Sequence, residues 1–550
     1  MPAALAPRIT TASPIAALLG IDGYKLSHKD LYVQPGSGIG DNTGTTRILI
    51  NWTNRSNKFM PGSSHAVVFG LQAFIQSYLV EAWAPFFAAG EEEVVNLYTK
   101  VLADYLGPNP IGSDHIRALH QLGYLPLRIK ALPEGTLAPI GVATLTVENT
   151  HNSFYWLPNY IETALSASIW HPGTVATIAL EYRELLEQWA LRTDPAGLAG
   201  VDFQAHDFSM RGQSSIDSAA ASGMGHLLSF LGTDSMPSID YVDRFYAGDN
   251  GWVAASVPAT EHSVMCIRGE QGELETFRQI LDTFPTGIVS AVSDGYDLFK
   301  VLTDVLPQLK ERILARDGKL VIRPDSGDPV DIMTGEYNAY DVDDSDDVAD
   351  KRGFYESEKA AGRMSNEAQG VVEMLGDIFG YTVNEQGYKV LNSHIGVIYG
   401  DSINLDRALR TMQRLEAKGW ASTNVVFGIG SYTYQMVTRD NLGSAVKATW
   451  GLVNGISTDI QKDPKTGGGG KKSAKGRIAL HRDGTGEIYQ VDEQSAEQSE
   501  TGLLELVWEN GSFYKHQSFA DVRAVLKQER EARAERTPGI RAALFADTTA

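Results

Sequence analysis

The chain has 550 residues, several times the usual length of one domain, which leaves room for a large barrel and a second domain. Its 47 Lys and Arg against 68 Asp and Glu give a formal charge of −21, which disfavours nucleic acid and anionic membranes as main partners. The single cysteine, Cys266, excludes an internal disulfide and a cysteine zinc site and suits a reducing compartment.

The amino-terminal stretch is rich in Ala and Pro, and it lacks the sustained apolar core of a secretory signal. No apolar run of roughly 18 residues occurs, so the sequence predicts no membrane span and we expect a cytoplasmic protein. We expect three regions. They are 1–160 as the amino-terminal α+β part of a flanking domain, 161–440 as an α/β barrel, and 441–550 as a part that packs back on the flanking domain and ends in a charged tail.

From about residue 201 the chain repeats one unit, in which a short apolar segment ends at small and polar residues and a helical stretch follows. Predicted helices include 215–228, which begins with a Ser-Ser-Ile-Asp capping signal, and 270–284. Such alternation predicts parallel strands, either in a (β/α) barrel or in a doubly wound open sheet. The seven segment ends, close to the eight of a barrel, are Asp207-Phe208, Thr233-Asp234, 256–262, Ser293-Asp294, 323–326, Gly400-Asp401 and Gly430-Ser431.

The most informative of these ends is 320–329, where three apolar residues run into a proline-bounded polar turn. Arg323, Asp325 and Ser326 there combine a guanidinium, a carboxylate and backbone donors, which suits phosphate, hydroxyl groups or a metal. Polar residues at the carboxyl ends of barrel strands line one pocket. The sequence therefore predicts that the seven ends converge on a single site.

Two segments interrupt the pattern. The acidic stretch 335–370 is predicted to be a solvated surface insertion, and a calcium site is the alternative, although the spacing of an EF-hand loop is missing. The stretch 463–477 is rich in glycine and lysine, which is typical of a flexible loop. A mobile cationic loop of this kind would also suit closure over a phosphorylated substrate.

Taken in order, the motifs from Asp22 to about Ser518 resemble those of the nicotinamide phosphoribosyltransferases. The matching pieces are Asp22-Gly23-Tyr24-Lys25, Arg211-Gly212, Gly232-Thr233-Asp234, 256–263, 293–297, 322–327, Gly400-Asp401, Thr438-Arg439-Asp440 and 475–482. The resemblance implies an atypical α/β barrel of the type II phosphoribosyltransferase kind with a flanking, mainly β domain. It also implies NAD salvage by transfer of phosphoribose from 5-phosphoribosyl 1-pyrophosphate to nicotinamide, with Mg²⁺, ATP-driven histidine phosphorylation, and a homodimer whose sites lie at the subunit interface.

The resemblance assigns the flat nicotinamide ring to an aromatic sandwich of Phe208 and of Tyr24 from the partner subunit. Asp234 is expected to accept a hydrogen bond from the carboxamide NH₂. A carboxylate at this position would repel nicotinate, so Asp234 is the main reason to expect the amide as substrate.

The polyanionic phosphoribosyl part requires cations and backbone donors. Asp22, Ser256 and Ser293 belong to the same motifs and are also assigned to substrate binding. On the pyrophosphate side the resemblance places Arg211, Arg323 and, from the partner subunit, Arg55, Lys447, Lys462 and one of Lys471 and Lys472. Around the 5′-phosphate it places Gly400, Asp401, Gly430, Ser431 and, from the partner subunit, Arg439.

For the chemistry, the resemblance implies Mg²⁺ near Asp297 and Asp325, and phosphorylation of His262 with Glu261 fixing its tautomer. Ser431-Tyr432 departs from a glycine-rich family pattern and would narrow the phosphate cradle. Two other functions stay open: a nicotinate or other pyridine phosphoribosyltransferase on the same barrel, and a catalytically silent binding protein that keeps the fold.

Overall fold

The computed structural model describes residues 13–34, 43–336, 348–461 and 474–536. Among these residues, no helix combines the length and apolar character needed to cross a bilayer. The chain divides into two units. Unit 1 comprises Met1–Thr174, Asp243–Asp249 and Thr438–Ala532, and unit 2 comprises Val175–Val242, Asn250–Val437 and Arg533–Ala550. The region boundaries predicted from the sequence stay predictions.

The strands of the described residues are, in chain order, β1 (Thr45–Asn54), β2 (His65–Val67), β3 (Leu127–Ala131), β4 (Leu137–Pro139), β5 (Ala143–Asn149), β6 (Ala205–Asp207), β7 (Gly232–Thr233), β8 (Thr286–Val292), β9 (Asp317–Arg323), β10 (Tyr381–Val383), β11 (Lys389–Leu391), β12 (Ile395–Tyr399), β13 (Val425–Ile429), β14 (Ser444–Val453), β15 (Ile456–Asp459), β16 (Arg477–Arg482), β17 (Ile488–Gln494), β18 (Glu505–Glu509) and β19 (Ser512–Phe513).

The α-helices are α1 (His28–Leu31), α2 (Leu71–Phe74), α3 (Ala84–Ala88), α4 (Glu91–Leu106), α5 (Asp114–Leu122), α6 (Leu157–Thr193), α7 (Ile216–Leu227), α8 (Pro237–Phe245), α9 (His262–Cys266), α10 (Glu273–Thr283), α11 (Leu298–Lys300), α12 (Leu306–Leu314), α13 (Pro329–Thr334), α14 (Val348–Ala360), α15 (Asn366–Gln369), α16 (Val371–Phe379), α17 (Leu405–Ala417), α18 (Ser431–Tyr434) and α19 (Phe519–Arg536). Shorter 3₁₀ segments are Ala17–Leu19, Gly23–Ser27, Asn152–Phe154, Pro195–Phe203, Met210–Gly212, Glu270–Gly272, Ser422–Asn424 and Gln498–Glu500, and Ile75–Ala82 and Val301–Val305 are π-helical.

Unit 2 is built on a six-stranded sheet in the order β7-β6-β13-β12-β9-β8, in which every neighbouring pair is parallel. Helices connect successive strands, as parallel pairing requires. The two helices predicted at 215–228 and 270–284 are α7 and α10. Ser215 caps α7 as expected, because its Oγ accepts a hydrogen bond from the amide of Ser218 at 3.0 Å.

A seventh segment closes this sheet into a ring. Ala255 forms a parallel bridge with Gly232 of β7, and Ala259 forms a parallel bridge with Ser290 of β8. The segment 255–259 therefore lies between the two edge strands and joins them. The predicted α/β barrel is confirmed, and the open doubly wound sheet is excluded, because the edges of the sheet pair through this segment.

Parallel pairing places the carboxyl ends of all the barrel strands at one rim. Backbone hydrogen bonds join neighbouring strand ends there. The amide of Phe208 donates to the carbonyl of Ile429 at 2.9 Å, and the amide of Gly400 donates to the carbonyl of Pro324 at 3.1 Å. Each of the seven polar clusters predicted from the sequence lies at or next to this rim.

Unit 1 contains an antiparallel seven-stranded sheet in the order β15-β14-β1-β5-β3-β18-β19, with the pairs β2-β4 and β16-β17 beside it. Its apolar core includes the fully buried aromatic side chains of Trp83, Phe86 and Trp508. The mainly β flanking domain predicted from the resemblance corresponds to this unit.

A buried carboxylate organises one part of unit 1. Glu134 accepts hydrogen bonds from the amides of Gly70 at 3.1 Å and Gln72 at 2.6 Å and from the hydroxyl of Tyr246 at 2.7 Å. Burial raises the pKa of Glu134, and these hydrogen bonds oppose the rise. Glu134 thereby fixes the short segment 243–249 to the rest of unit 1.

Replacing Glu134 with Ala is expected to lower the free energy of unfolding by about 3 kcal/mol, because three buried donors lose their acceptor. Glu134→Gln, which keeps one acceptor oxygen, should lose less. Urea denaturation measures both, with Glu93→Ala in the exposed first turn of α4 as a control expected to cost under about 1 kcal/mol. Equal stability of Glu134→Ala and the control would contradict this role.

Candidate active site

One face of the barrel rim is aromatic. Phe208 follows β6 directly, and its ring lies close to the backbone of β13, where a Cβ added to Gly428 would approach Phe208 to 2.7 Å. The guanidinium carbon of Arg323 lies 4.8 Å from the centroid of the Phe208 ring. The imidazole of His206 packs on the same ring at 4.7 Å between centroids. The ring therefore offers a flat apolar surface with a cation beside it.

A carboxylate stands next to this surface. Asp234 Oδ1 accepts hydrogen bonds from His206 Nε2 at 3.0 Å and from Ser256 Oγ at 2.6 Å. Burial by itself would raise the pKa of Asp234, but these two hydrogen bonds and the charge of Arg323 outweigh it and lower the pKa below its ordinary value. Asp234 is therefore an ionised hydrogen-bond acceptor at neutral pH.

Beside the aromatic surface lies a small cradle at Gly400. A Cβ on Gly400 would come within 2.4 Å of Asp325 Oδ1 and within 2.9 Å of Arg323 Nε, so only glycine leaves room for both side chains. These same two atoms are buried and have no hydrogen-bond partner in the part of the chain that the structure describes. An unpaired buried donor and acceptor at one position suit a ligand that is both anionic and hydroxylated.

The rim is rich in negative charge. The pKa of Asp325 is raised by burial and by the carboxylates of Asp294 and Asp401, while the charges of Arg323 and His262 act in the opposite direction. The amide of Asp325 also donates to Asp294 Oδ2 at 2.9 Å. These three carboxylates meet at the ends of three adjacent strands, β8, β9 and β12.

His262 begins α9 and has a different partner from the one predicted. Its Nε2 lies 3.3 Å from Asp294 Oδ1, whereas Glu261, predicted to fix the histidine tautomer, accepts a hydrogen bond from the hydroxyl of Ser263. The side chain of Asp294 is only 7 % exposed and that of His262 is 48 % exposed. Asp294 thus connects His262 to the backbone of Asp325, and the role of Glu261 in fixing the histidine tautomer stays a prediction.

Two predicted residues have side chains engaged elsewhere. Asp297 caps the start of α11 by accepting from the amides of Phe299 and Lys300, both at 3.1 Å. Ser293 is fully buried and its hydroxyl donates to the carbonyl of Ala291 at 2.8 Å. In the described residues, no group of three or more His, Cys, Asp or Glu side chains is placed to hold a metal ion. The carboxylates that act electrostatically on Asp325 are those of Asp294 and Asp401, and Asp297 is not among them.

The motif after β13 meets the motif after β6. A Cβ on Gly212 would lie 2.2 Å from Ser431 Oγ, so Ser431 packs against Gly212. A Cβ on Gly430 would lie 3.6 Å from Asp401 Oδ1, which leaves the backbone at Gly430 open. Arg211 is exposed within the turn that carries Gly212.

The remaining predicted residues that the structure describes line one pocket of unit 1. The pocket has a volume of ≈ 430 Å³, and its lining includes Asp22, Tyr24, Arg55, Arg439 and Lys447. Asp22 accepts a hydrogen bond from Thr163 Oγ1 at 2.9 Å. The ring of Tyr24 lies 5.2 Å from that of His28 between centroids, and the ring is 60 % exposed, which leaves surface for a further aromatic group.

The pocket in unit 1 carries positive charge. Burial and the charge of Arg439 lower the pKa of Arg55, and Asp440 partly opposes this. Arg55 Nε donates to the carbonyl of Gly443 at 3.1 Å, and Arg439 lies 3.8 Å from Asp440. Mutual repulsion of the two guanidinium groups favours an anionic occupant. Lys462, Lys471 and Lys472 lie outside the described residues, as do residues 337–347 of the acidic segment.

Two residues at the rim were missed by the sequence interpretation. His206 precedes Phe208 by two residues, so strand alternation already puts both on the same face. Asp294 stands directly after Ser293 at the end of β8. The sequence carried a signal for both, since Asp294 belongs to the Ser293-Asp294 motif and His206 directly precedes Asp207-Phe208.

Comparisons with known proteins show the family to which the chain belongs. A model of the nicotinate phosphoribosyltransferase (NAPRTase) family matches residues 203–511, which is more than half of the chain. A protein from Acinetobacter baylyi named nicotinamide phosphoribosyltransferase is 46% identical over 94% of this chain and 98% of its own length. A protein of the same name from Xanthomonas campestris pv. campestris is 33% identical over 92% of this chain and 97% of its own. The resemblance predicted from the motifs is confirmed.

Among solved structures, human nicotinic acid phosphoribosyltransferase aligns with a TM-score of 0.47 and 16% identity, covering 92% of each chain. The family assignment rests on the sequence matches.

The crowding of carboxylates predicts a pH dependence at Asp325. Because the folded state binds this proton more tightly than the unfolded state, the contribution to stability is present below the ordinary pKa near 3.8 and is lost as pH rises through the raised folded value. Asp325→Asn should therefore become more stable than the wild type as pH is raised from 4 towards 7, measured by urea denaturation. Asp317→Asn, at the exposed start of the same strand, is the control and should show no such trend. A constant difference across pH would contradict the prediction.

Proposed function

The chain belongs to the nicotinate phosphoribosyltransferase family, and on that premise we propose that it transfers the 5-phosphoribosyl group of 5-phosphoribosyl 1-pyrophosphate to nicotinamide. The products are nicotinamide mononucleotide and pyrophosphate, and the reaction serves NAD salvage. The observation that carries the proposal is the ionised Asp234 beside the ring of Phe208. The names of the relatives at 46% and 33% identity support the same substrate.

Choice of the amide over the acid follows from charge. With Oδ1 already accepting from His206 and Ser256, Asp234 keeps Oδ2 for a donor such as the carboxamide NH₂. Nicotinate carries a carboxylate at the same place and would meet a like charge. Nicotinate is therefore expected to be a poor substrate.

In the proposed reaction the bond between C1′ and pyrophosphate breaks, and its electron pair leaves with pyrophosphate. The pyridine nitrogen then forms the new bond to C1′ with its lone pair, so no protein nucleophile is needed. Phe208 holds the ring flat, which fixes the direction of the nitrogen towards C1′. Arg323, at 4.8 Å from that ring, stabilises the leaving negative charge, and Asp325 accepts from the ribose hydroxyls. The backbone at Gly430 is open on the side of Asp401 and would offer its amide to the 5′-phosphate, and Gly400 leaves room for the phosphate beside it.

Mg²⁺ and ATP are part of the proposal. The Oδ1 of Asp325 is buried and unpartnered and is the group we propose for a hydrated magnesium ion, whereas Oδ1 of Asp297 caps α11. Because the described residues hold no set of three such ligands, water and pyrophosphate would complete the coordination. Bound there, the ion would neutralise pyrophosphate. His262 is the proposed acceptor of the ATP phosphoryl group. Asp294, rather than Glu261, would orient its imidazole.

We propose a homodimer in which the pocket of unit 1 from one subunit completes the barrel rim of the other. The proposal rests on the exposed ring of Tyr24 and on the two mutually repelling guanidinium groups, which suit the second face of a base and a polyanion. Arg55, Arg439 and Lys447 would then contribute to pyrophosphate and phosphate binding.

The proposed function predicts a defined product pattern. Incubation with Mg²⁺, 5-phosphoribosyl 1-pyrophosphate and either nicotinamide or nicotinate, with and without ATP, is expected to give a mononucleotide from the amide, faster with ATP. Asp234→Asn should reduce the amide-to-acid ratio of kcat/KM at least about tenfold, because the like-charge repulsion is gone. Chromatographic identification of the mononucleotide is the measurement. Equal turnover of nicotinate by the wild type would refute the role of Asp234, and no product from either base would refute the function.

Mixing of subunits tests the shared site. Arg55→Ala and Arg323→Ala should each be inactive as pure dimers. Their co-expressed mixture should recover about a quarter of wild-type activity, since half of the dimers would hold one intact site. A mixture of Arg323→Ala with Asp325→Ala, both altered at the rim, is the control and should recover nothing. Absence of recovery in the first mixture would exclude a site built from two subunits.

A further inference from the structure

His206 occupies an unusual position for a histidine next to a binding surface. It lies on β6, its side chain is only 12 % exposed, and it contacts both predicted elements of the base site. Its ring packs on Phe208 at 4.7 Å, and its Nε2 reaches Asp234 Oδ1 at 3.0 Å. Arg323 also acts on both, since it lies over the Phe208 ring and its charge lowers the pKa of Asp234. Among the described side chains, only His206 joins the two through a ring contact and a hydrogen bond.

The backbone is adapted to this ring. A Cβ on Gly232 would lie 2.7 Å from His206 Nδ1, so glycine at the start of β7 leaves room for the imidazole to reach the carboxylate. Because a carboxylate only accepts, Nε2 must carry the proton of this hydrogen bond. Gly232, two residues before Asp234, therefore leaves the space in which the imidazole of His206 contacts Asp234.

The two donors converge on one oxygen. His206 Nε2 and Ser256 Oγ both approach Asp234 Oδ1, and the hydrogen-bond network of the described residues shows no donor on Oδ2. A carboxylate held in this way presents its second oxygen in a fixed direction. Without the histidine, Ser256 alone would hold Oδ1, and the Asp234 side chain, which is 42 % exposed, would be less restricted in rotation about its terminal bond.

We propose that His206 is a positioning residue that selects the base, acting through Asp234 rather than by touching the reacting atoms. Its hydrogen bond to Oδ1 leaves Oδ2 facing the carboxamide. Its contact with the Phe208 ring fixes the distance between that ring and the Asp234 carboxylate. This inference rests on the proposed function and extends it from Asp234 to the residue that orients it. The substrate class it favours is a planar heteroaromatic amide.

A matched pair of variants separates the donor from the bulk of the side chain. His206→Gln keeps an N–H donor at a similar reach, and His206→Met has similar length and no donor. For His206→Met, the KM for nicotinamide should rise about tenfold, with kcat changed less than about twofold, and the amide-to-acid ratio of kcat/KM should fall. His206→Gln should recover most of the affinity and the ratio. His394→Met is the control and should match the wild type, since the imidazole of His394 pairs with the carbonyl of Gly318 at 3.1 Å, at the opposite end of β9 from Arg323.

A double-mutant cycle separates the effect of His206 on base binding from any general loss of folded protein. In the Asp234→Asn background, His206→Met should cause little further rise in KM, because the residue it orients is already altered. An unchanged KM and ratio in His206→Met, equal defects in the Gln and Met variants, or full additivity with Asp234→Asn would each overturn the inference. Wild-type protein that makes no mononucleotide from nicotinamide would instead refute the proposed function, so the two failures are distinguishable.

Discussion

The parallel direction of the barrel strands is the constraint on which the rest of the site depends. Residues far apart in sequence, from Phe208 to Ser431, reach one rim only because each strand runs the same way and ends at the same level. The bridges of 255–259 to β7 and β8 complete the ring, so there is no exposed barrel edge at that point. A change of direction in any one strand would move its polar end to the opposite side of the barrel.

The two units each hold side chains of like charge close together, carboxylates at the rim of unit 2 and guanidinium groups in the pocket of unit 1. At the rim, Asp294 and Asp401 lie near Asp325 and Arg323. Burial and the two neighbouring carboxylates raise the pKa of Asp325, although the Arg323 guanidinium opposes this. In unit 1, two guanidinium groups repel each other inside a pocket of ≈ 430 Å³. Each arrangement is unfavourable when it stands alone. Groups held in such arrangements commonly mark functional sites, where a ligand of the right charge relieves the repulsion.

Most of the fold and much of the rim followed from local patterns. Short apolar segments ending in polar turns predicted the strands, and the Ser215 cap predicted the start of α7. What the sequence could not fix was which neighbour inside a motif carries the contact. Glu261 and Asp294 are equally plausible partners for His262 in sequence, and it is the pairing of the segment 255–259 with β8 that brings Asp294 to His262. The same holds for Asp297, whose capping of α11 depends on where that helix begins.

The discontinuity of unit 1 has a consequence for biosynthesis. Strands β1, β3 and β5 pair with one another early in the chain, but β1 also pairs with β14, which is made only after the whole barrel has been translated. A nascent chain thus displays an open strand edge on β1 throughout that interval. The barrel strands β6 to β13 are all made before β14, with the segment 243–249 of unit 1 between β7 and β8, so the barrel can close on the ribosome first. Slow elongation would lengthen the exposure of that edge, so chaperone demand during synthesis should fall on the amino-terminal sheet and not on the barrel.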